Sequence, residues 1–158
     1  MNSVIIFTDG SSRGNPGPGG YSAIIISNDT VREIGGREDH TTNNRMELRG
    51  VIEALRLAKP EDDTIINADS EYVVKGATLW IKGWVAKGWR TAAKKAVLNQ
   101  DLWQEMLVVI AGKKITWNVV RGHAGVKENE RADVIATSFA DNAPVNLYNG
   151  PKASYPYL

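Results

Sequence analysis

The sequence predicts a single α/β domain on a five-stranded mixed sheet flanked by helices. The first three strands form an antiparallel meander and the last two run parallel. Three observations predict this. Short β-branched runs crowd the start and are joined by turn-rich connections, the apolar period becomes helical near residue 44, and helix then alternates with strand. Such short connections allow antiparallel pairing but no parallel crossover. At 158 residues the chain suits one domain with a substantial core.

Val4 to Thr8 is an apolar run closed by Asp9-Gly10, the pattern of a buried strand. Ser11 to Gly20 is rich in Gly, Asn and Pro and reads as a connection. Tyr21 to Ser27 is the second strand, Asn28-Asp29 a turn, and Val31 to Arg37 the third strand. From Asn44 to Ala58, Leu48, Val51, Ile52 and Leu55 make one helical face, and Pro60 stops the helix. Thr64 to Ala68 is a fourth strand, followed by short helices over Asp69–Gly76 and Thr78–Val85. A longer helix spans Asn99 to Ile110, a fifth strand Ile115 to Val120, and a last helix Glu128 to Ala140. One folded domain is therefore expected over residues 1–141, and residues 142–158, which lose periodicity, as an extended or mobile extension.

Composition narrows the function. Cysteine is absent, which excludes a disulfide framework and a thiolate metal site. No apolar run approaches the ~18 residues of a membrane span, and the start lacks the charged and long apolar regions of a signal peptide. The expectation is a cytoplasmic protein away from membranes. Net charge is only +1, but from Tyr72 to Gln100 there are six bases (Lys75, Lys82, Lys87, Arg90, Lys94 and Lys95) and no acid. Such a stretch is either a nucleic-acid footprint or a solvated helix face.

Four acids carry the chemistry: Asp9, Glu47, Asp69 and Asp133. Each has an ordinary reading. Asp9-Gly10 is a turn pair, Asp69-Ser70 a helix cap, Glu47 a capping-box partner of Asn44, and Asp133 a helix-surface acid. Together they point elsewhere. With the first and fourth strands adjacent, Asp9 and Asp69 emerge side by side, at the kind of strand end where open α/β sheets place ligands. Glu47 and Asp133 each lie one turn before a buried helix position, Val51 and Ala136. Four converging carboxylates are costly without a cation, and hard oxygen ligands suit Mg²⁺ or Mn²⁺.

Thr8-Asp9-Gly10-Ser11, the Gly14–Gly20 loop, Thr41-Thr42-Asn43-Asn44-Arg45-Met46-Glu47, Asp69-Ser70, Gly122-His123-Ala124-Gly125 and Asn129-Glu130-Arg131-Ala132-Asp133 follow in the order and spacing of bacterial ribonuclease H, type HI, which the chain resembles over about residues 4–140. The resemblance implies a ribonuclease H-like sheet and an endonuclease that cleaves the RNA strand of an RNA–DNA hybrid. It implies two Mg²⁺ ions per site, with Mn²⁺ as a substitute. Asp9 would touch both ions, Asp69 and Asp133 the ion on the attacking-water side, and Glu47 the ion on the leaving-group side. It gives His123 a proton-shuttling or product-release role. The task implied is removal of RNA primers and R-loops by a monomer, with a single-strand-binding protein as a candidate partner. The alternatives are a DNA-processing nuclease or integrase of the same superfamily, and a hybrid-binding module without catalysis.

The resemblance also implies substrate contacts. Gly10, Ser12, Asn15 and Asn43 are candidates for reading 2′-hydroxyls in the minor groove, and Thr42 and Asn99 for holding a phosphate of the DNA strand. Residues 79–98 correspond to a basic handle in which Trp80, Lys82, Trp84, Lys87, Trp89, Arg90, Lys94 and Lys95 would grip that strand by stacking and phosphate contact. A tryptophan here, Trp84 above all, equally suits core packing. Two positions depart from the family pattern: Ala68 stands where Thr is usual, and Glu71, at a substrate-binding position, where Gln is usual.

Overall fold

A computed structural model describes residues 2–120 and 126–158. Its strands and helices follow in the order β1 (Ser3–Ser12), β2 (Gly17–Ile26), β3 (Thr30–Thr41), α1 (Asn43–Arg56), β4 (Asp63–Ala68), α2 (Glu71–Lys75), α3 (Ile81–Ala86), α4 (Gln100–Ile110), β5 (Lys114–Val119), α5 (Lys127–Ala140) and β6 (Asn149–Pro151). A π-helical turn, Gly76–Trp80, joins α2 to α3. The sheet order is β5-β4-β1-β2-β3-β6. β1, β2 and β3 pair antiparallel, while β4 pairs parallel to β1 and β5 parallel to β4. The mixed α/β sheet is thus the expected one with a sixth strand added. β6 comes from the aperiodic C-terminal segment and pairs antiparallel with Thr30–Arg32 at the start of β3.

The first three strands run longer than their apolar cores. β1 continues past Asp9 to Ser12, and the glycines read as connection belong to β2, with Gly20 opposite Ser11 and Gly19 opposite Ser12. The β1–β4 pairing, by contrast, ends at Thr8 opposite Ala68. Asp9 and Asp69 each follow that last pair by one residue.

Side chains alternate between two cores, as strand pleating requires. Val4 and Ile6 join Leu48, Val51, Ile52 and Leu55 of α1 with Trp103 and Met106 of α4 on one face. Phe7, Ile24, Ile26 and Val31 join Ala132 and Ile135 of α5 with Tyr155 on the other. Two glycines set how closely the helices lie. A Cβ on Gly10 would collide with the α1 backbone at Met46 and Glu47, and one on Gly20 with the α5 backbone at Ala136 and Ala140. Among the described residues, no helix is long and apolar enough to cross a membrane.

Gly10→Ala is expected to lower stability by about 2 kcal/mol or more, since backbone has to shift in a packed core. Gly83→Ala has open space around its added Cβ and is expected to be neutral or to stabilise by up to about 1 kcal/mol. Urea unfolding of the two variants checks the contrast, and equal effects would contradict the packing role of Gly10.

Candidate active site

Neither Glu47 nor Asp69 serves the helix-capping role that its local sequence allows. The N-cap of α1 is Thr42, whose hydroxyl accepts from Arg45 N at 3.3 Å, so Glu47 stands a turn further in and closes no capping box. Ser70, not Asp69, caps α2 by accepting from Val73 N at 3.3 Å. Asp9 and Glu47 are both buried, at 7% and 5% exposure.

Carboxylate oxygens of Asp9, Glu47 and Asp69 all lie within 4.8 Å of one another. Asp133, exposed on α5, stands outside this trio but close enough to raise the Asp9 pKa by repulsion. Burial is the largest influence on Asp9 and, with the neighbouring acids, pushes it up to about 7 despite hydrogen bonds from Glu47 and Gly10. Burial, then repulsion from Asp9, carries Glu47 well above the usual carboxylate range. Glu47 Oε2 is buried and finds no hydrogen-bond partner among the described residues. A divalent cation fits this donor set. It would give the orphaned oxygen a partner and offset the repulsion, and all three donors are hard oxygens.

The other expected residues fall around this group. Asn15, Thr42, Asn43 and Asn99 line one surface pocket with Asn44 and Leu98. Asn43 Oδ1 accepts from Ser12 N at 3.0 Å, which joins the β1 end to the start of α1. Gly10 is buried, and its N–H donates to Asp9 Oδ1 at 2.8 Å. Asn99 adopts a left-handed backbone (φ 60°) ahead of α4, and its amide donates to Tyr72 Oη at 3.2 Å. Sequence reasoning assigned nothing to Arg45, which forms a bidentate pair with Asp101 at 2.9 and 2.7 Å and so clamps the start of α1 to the start of α4. A basic residue on the first turn of one helix and an acid on the first turn of another were the available signal.

The handle combines both readings of its tryptophans. Trp84 packs on buried Trp103 with ring centres 5.3 Å apart, Trp80 on Trp84 at 5.9 Å, and Trp89 on Trp84 at 6.5 Å. This aromatic chain runs from the core to Trp80, which is 38% exposed. Trp80, Trp84, Lys87 and Arg90 line an open groove, and Lys82, Lys94 and Lys95 are exposed. Glu71 pairs with Lys75 at 2.6 Å, which offsets part of its added negative charge. His123 lies outside the described residues.

The RNase H family model matches residues 1–141. The ribonuclease H of Polaromonas naphthalenivorans (strain CJ2) is 52% identical over 142 residues, covering 89% of this chain and 88% of that protein. That of Cupriavidus pinatubonensis (strain JMP 134 / LMG 1197) is 50% identical over 136 residues, covering 86% and 94%. Among solved structures, LC9-RNase H1, a type 1 RNase H with the type 2 active-site motif, superposes with a TM-score of 0.83 at 32% identity, covering 95% of this chain and 78% of that one.

Because the Asp9 and Glu47 pKa values are raised on folding, the metal-free native state holds protons that the unfolded chain releases. The carboxylates' contribution is therefore full below about pH 4 and is lost as pH rises through about 7. With chelator present, Asp9→Asn should unfold at a higher temperature than the wild type at pH 8, and the gap should close toward pH 4. A gap independent of pH would contradict the repulsive cluster.

Proposed function

This chain belongs to the ribonuclease H family, and we propose that it cuts the RNA strand of RNA–DNA hybrids at the Asp9–Glu47–Asp69 group with Asp133 as a fourth ligand. The observation that carries this reading is the convergence of the Asp9, Glu47 and Asp69 carboxylates within 4.8 Å, with Glu47 Oε2 buried and without a hydrogen-bond partner among the described residues. A catalytically idle binder gains nothing from clustered negative charge where phosphate has to approach.

Asp9, Glu47, Asp69 and Asp133 would hold two Mg²⁺ ions. Bound there, the ions would supply water activation and charge neutralisation at the leaving oxygen. Asp9 is influenced by Glu47, Asp69 and Asp133 alike and would serve as a ligand to both ions. Water adds to phosphorus and the bond to the 3′-oxygen breaks, leaving a 5′-phosphate and a 3′-hydroxyl. No side chain becomes covalently attached. His123 is assigned to moving a proton at the product side.

Two groups of residues would hold the substrate. Asn15 and Asn43 would meet 2′-hydroxyls, since an amide both donates and accepts. The start of α1 adds backbone N–H groups and a favourable dipole for a DNA-strand phosphate beside Thr42 and Asn99. The exposed Trp80 face and the handle bases take the DNA strand further along. Primer and R-loop removal in the cytoplasm is the task this activity suits.

Hydrolysis of matched hybrid, duplex RNA and duplex DNA, with and without Mg²⁺, tests the reading. Cleavage restricted to the RNA of the hybrid and lost on chelation is expected, with Asp9→Asn and Asp69→Asn each reducing kcat by at least about 10³-fold. Near-full turnover by either variant would contradict the assigned roles. Replacing Lys87, Arg90, Lys94 and Lys95 together by Gln should raise KM and leave kcat nearly unchanged. It should also flatten the salt dependence by about 0.7–0.9 in slope for each phosphate no longer neutralised. An unchanged slope would move the substrate path off the handle.

A further inference from the structure

The family match ends at residue 141, yet the remaining residues are built into the domain. Glu33 on β3 has a fully buried side chain paired with Arg131 of α5, which is 9% exposed. The Arg131 guanidinium donates to both Glu33 oxygens at 2.8 and 3.0 Å. The other partners of this pair come from the C-terminal segment. Tyr155 Oη donates to Glu33 Oε2 at 2.6 Å, Tyr148 N donates to Glu33 Oε1 at 2.9 Å, and Arg131 also donates to Asn146 O at 2.9 Å. The Arg131 guanidinium sits 4.5 Å from the centre of the Tyr157 ring. Burial alone would raise the Glu33 pKa, but these partners outweigh it and hold the carboxylate below its usual range.

This network grips the first turns of α5, where Asn129 Nδ2 also donates to Val120 O at 3.2 Å. Val126, at its N-cap, offers no side-chain acceptor. The far end is held by Arg37, which donates to Phe139 O and Ala140 O, and by the Arg13–Asp141 pair. Between them Ser22 Oγ donates to Ala132 O at 2.6 Å, which sets the height of the helix over β2. Arg131 and Asp133 are two residues apart, about 200° around the helix axis. An anchor on Arg131 therefore contributes to the roll of α5 beside the Ser22 bond to Ala132 O, and that roll decides whether Asp133 faces Asp9.

We propose that residues 142–158 are a latch that fixes the rotation of α5 and so presents Asp133 to the Asp9–Glu47–Asp69 group, with Arg131 and Tyr155 as positioning residues. The consequence for metal binding rests on the function proposed above; the latch itself does not. Loss of the Tyr155 hydroxyl leaves a buried carboxylate oxygen short of a donor, and the first turns of α5 loosen locally before the rest of the fold.

Hydrogen–deuterium exchange of the full chain in chelator, paired with Mg²⁺ titration of hybrid cleavage, tests this. In Tyr155→Phe, amides in the first two turns of α5 should exchange about five- to thirtyfold faster while those of α1 keep wild-type rates. The Mg²⁺ concentration for half-maximal cleavage should rise several-fold, with KM for the hybrid unchanged. Tyr157→Leu, which removes the ring against Arg131 and spares the Tyr155 hydroxyl, should act in the same direction. Equal acceleration in α1 and α5, or a loosened α5 with an unchanged Mg²⁺ requirement, would overturn the proposal. A wild-type chain with no cation-dependent cleavage would defeat the proposed function, and the exchange pattern would still decide the latch.

Discussion

Mutual repulsion among carboxylates is the constraint on which the rest of this structure depends. Asp9, Glu47 and Asp69 come from three different elements, and each is delivered by a separate feature of the backbone. Parallel pairing of β1 with β4 sets Asp9 beside Asp69, because both follow the last paired residues. The missing side chain of Gly10 lets α1 lie against β1, which brings Glu47 in from the side. Without a cation these placements are costly: burial first, and repulsion between the acids after it, push the Asp9 and Glu47 pKa values up. The core on the α1 face, with Trp103, Leu48, Ile52 and Leu55 fully or almost fully buried, supplies the stability that holds them there.

Much of this was legible in the residues because local signals and global fold agree. The run Val4–Thr8, the helical period after Asn44 and the alternation beyond Thr64 specify the order of elements, and strand adjacency follows from short connections and the placing of acids at strand ends. What was not legible has physical causes. The Gly17–Gly20 segment has turn composition yet pairs as strand, because its lack of side chains is what admits α5 at Gly20. β6 is Asn-Gly-Pro, with no alternation to reveal it, and its position follows from contacts made by residues elsewhere in the chain. Glu33 did carry a signal. It shares the strand face of Val31, and an acid on the buried side of a strand calls for a buried cation.

The Glu33–Arg131 pair shows how a C-terminal segment beyond the family match can be tied to the family core. Removing one partner from a buried pair costs about 3–5 kcal/mol, because the other charge stays behind unpaired. The C-terminal segment supplies donors to the acid and an acceptor to the base, so neither charge is left short. By pairing with β3 it also covers part of an edge that would otherwise be open to another strand.

Whether the four acids share one cation site is tested most directly by anomalous diffraction from crystals grown with Mn²⁺ and a hybrid blocked at the scissile phosphate. Two peaks bounded by Asp9, Glu47, Asp69 and Asp133, with Asp9 touching both, are the predicted result. Side chains turned apart with no peak between them would contradict it.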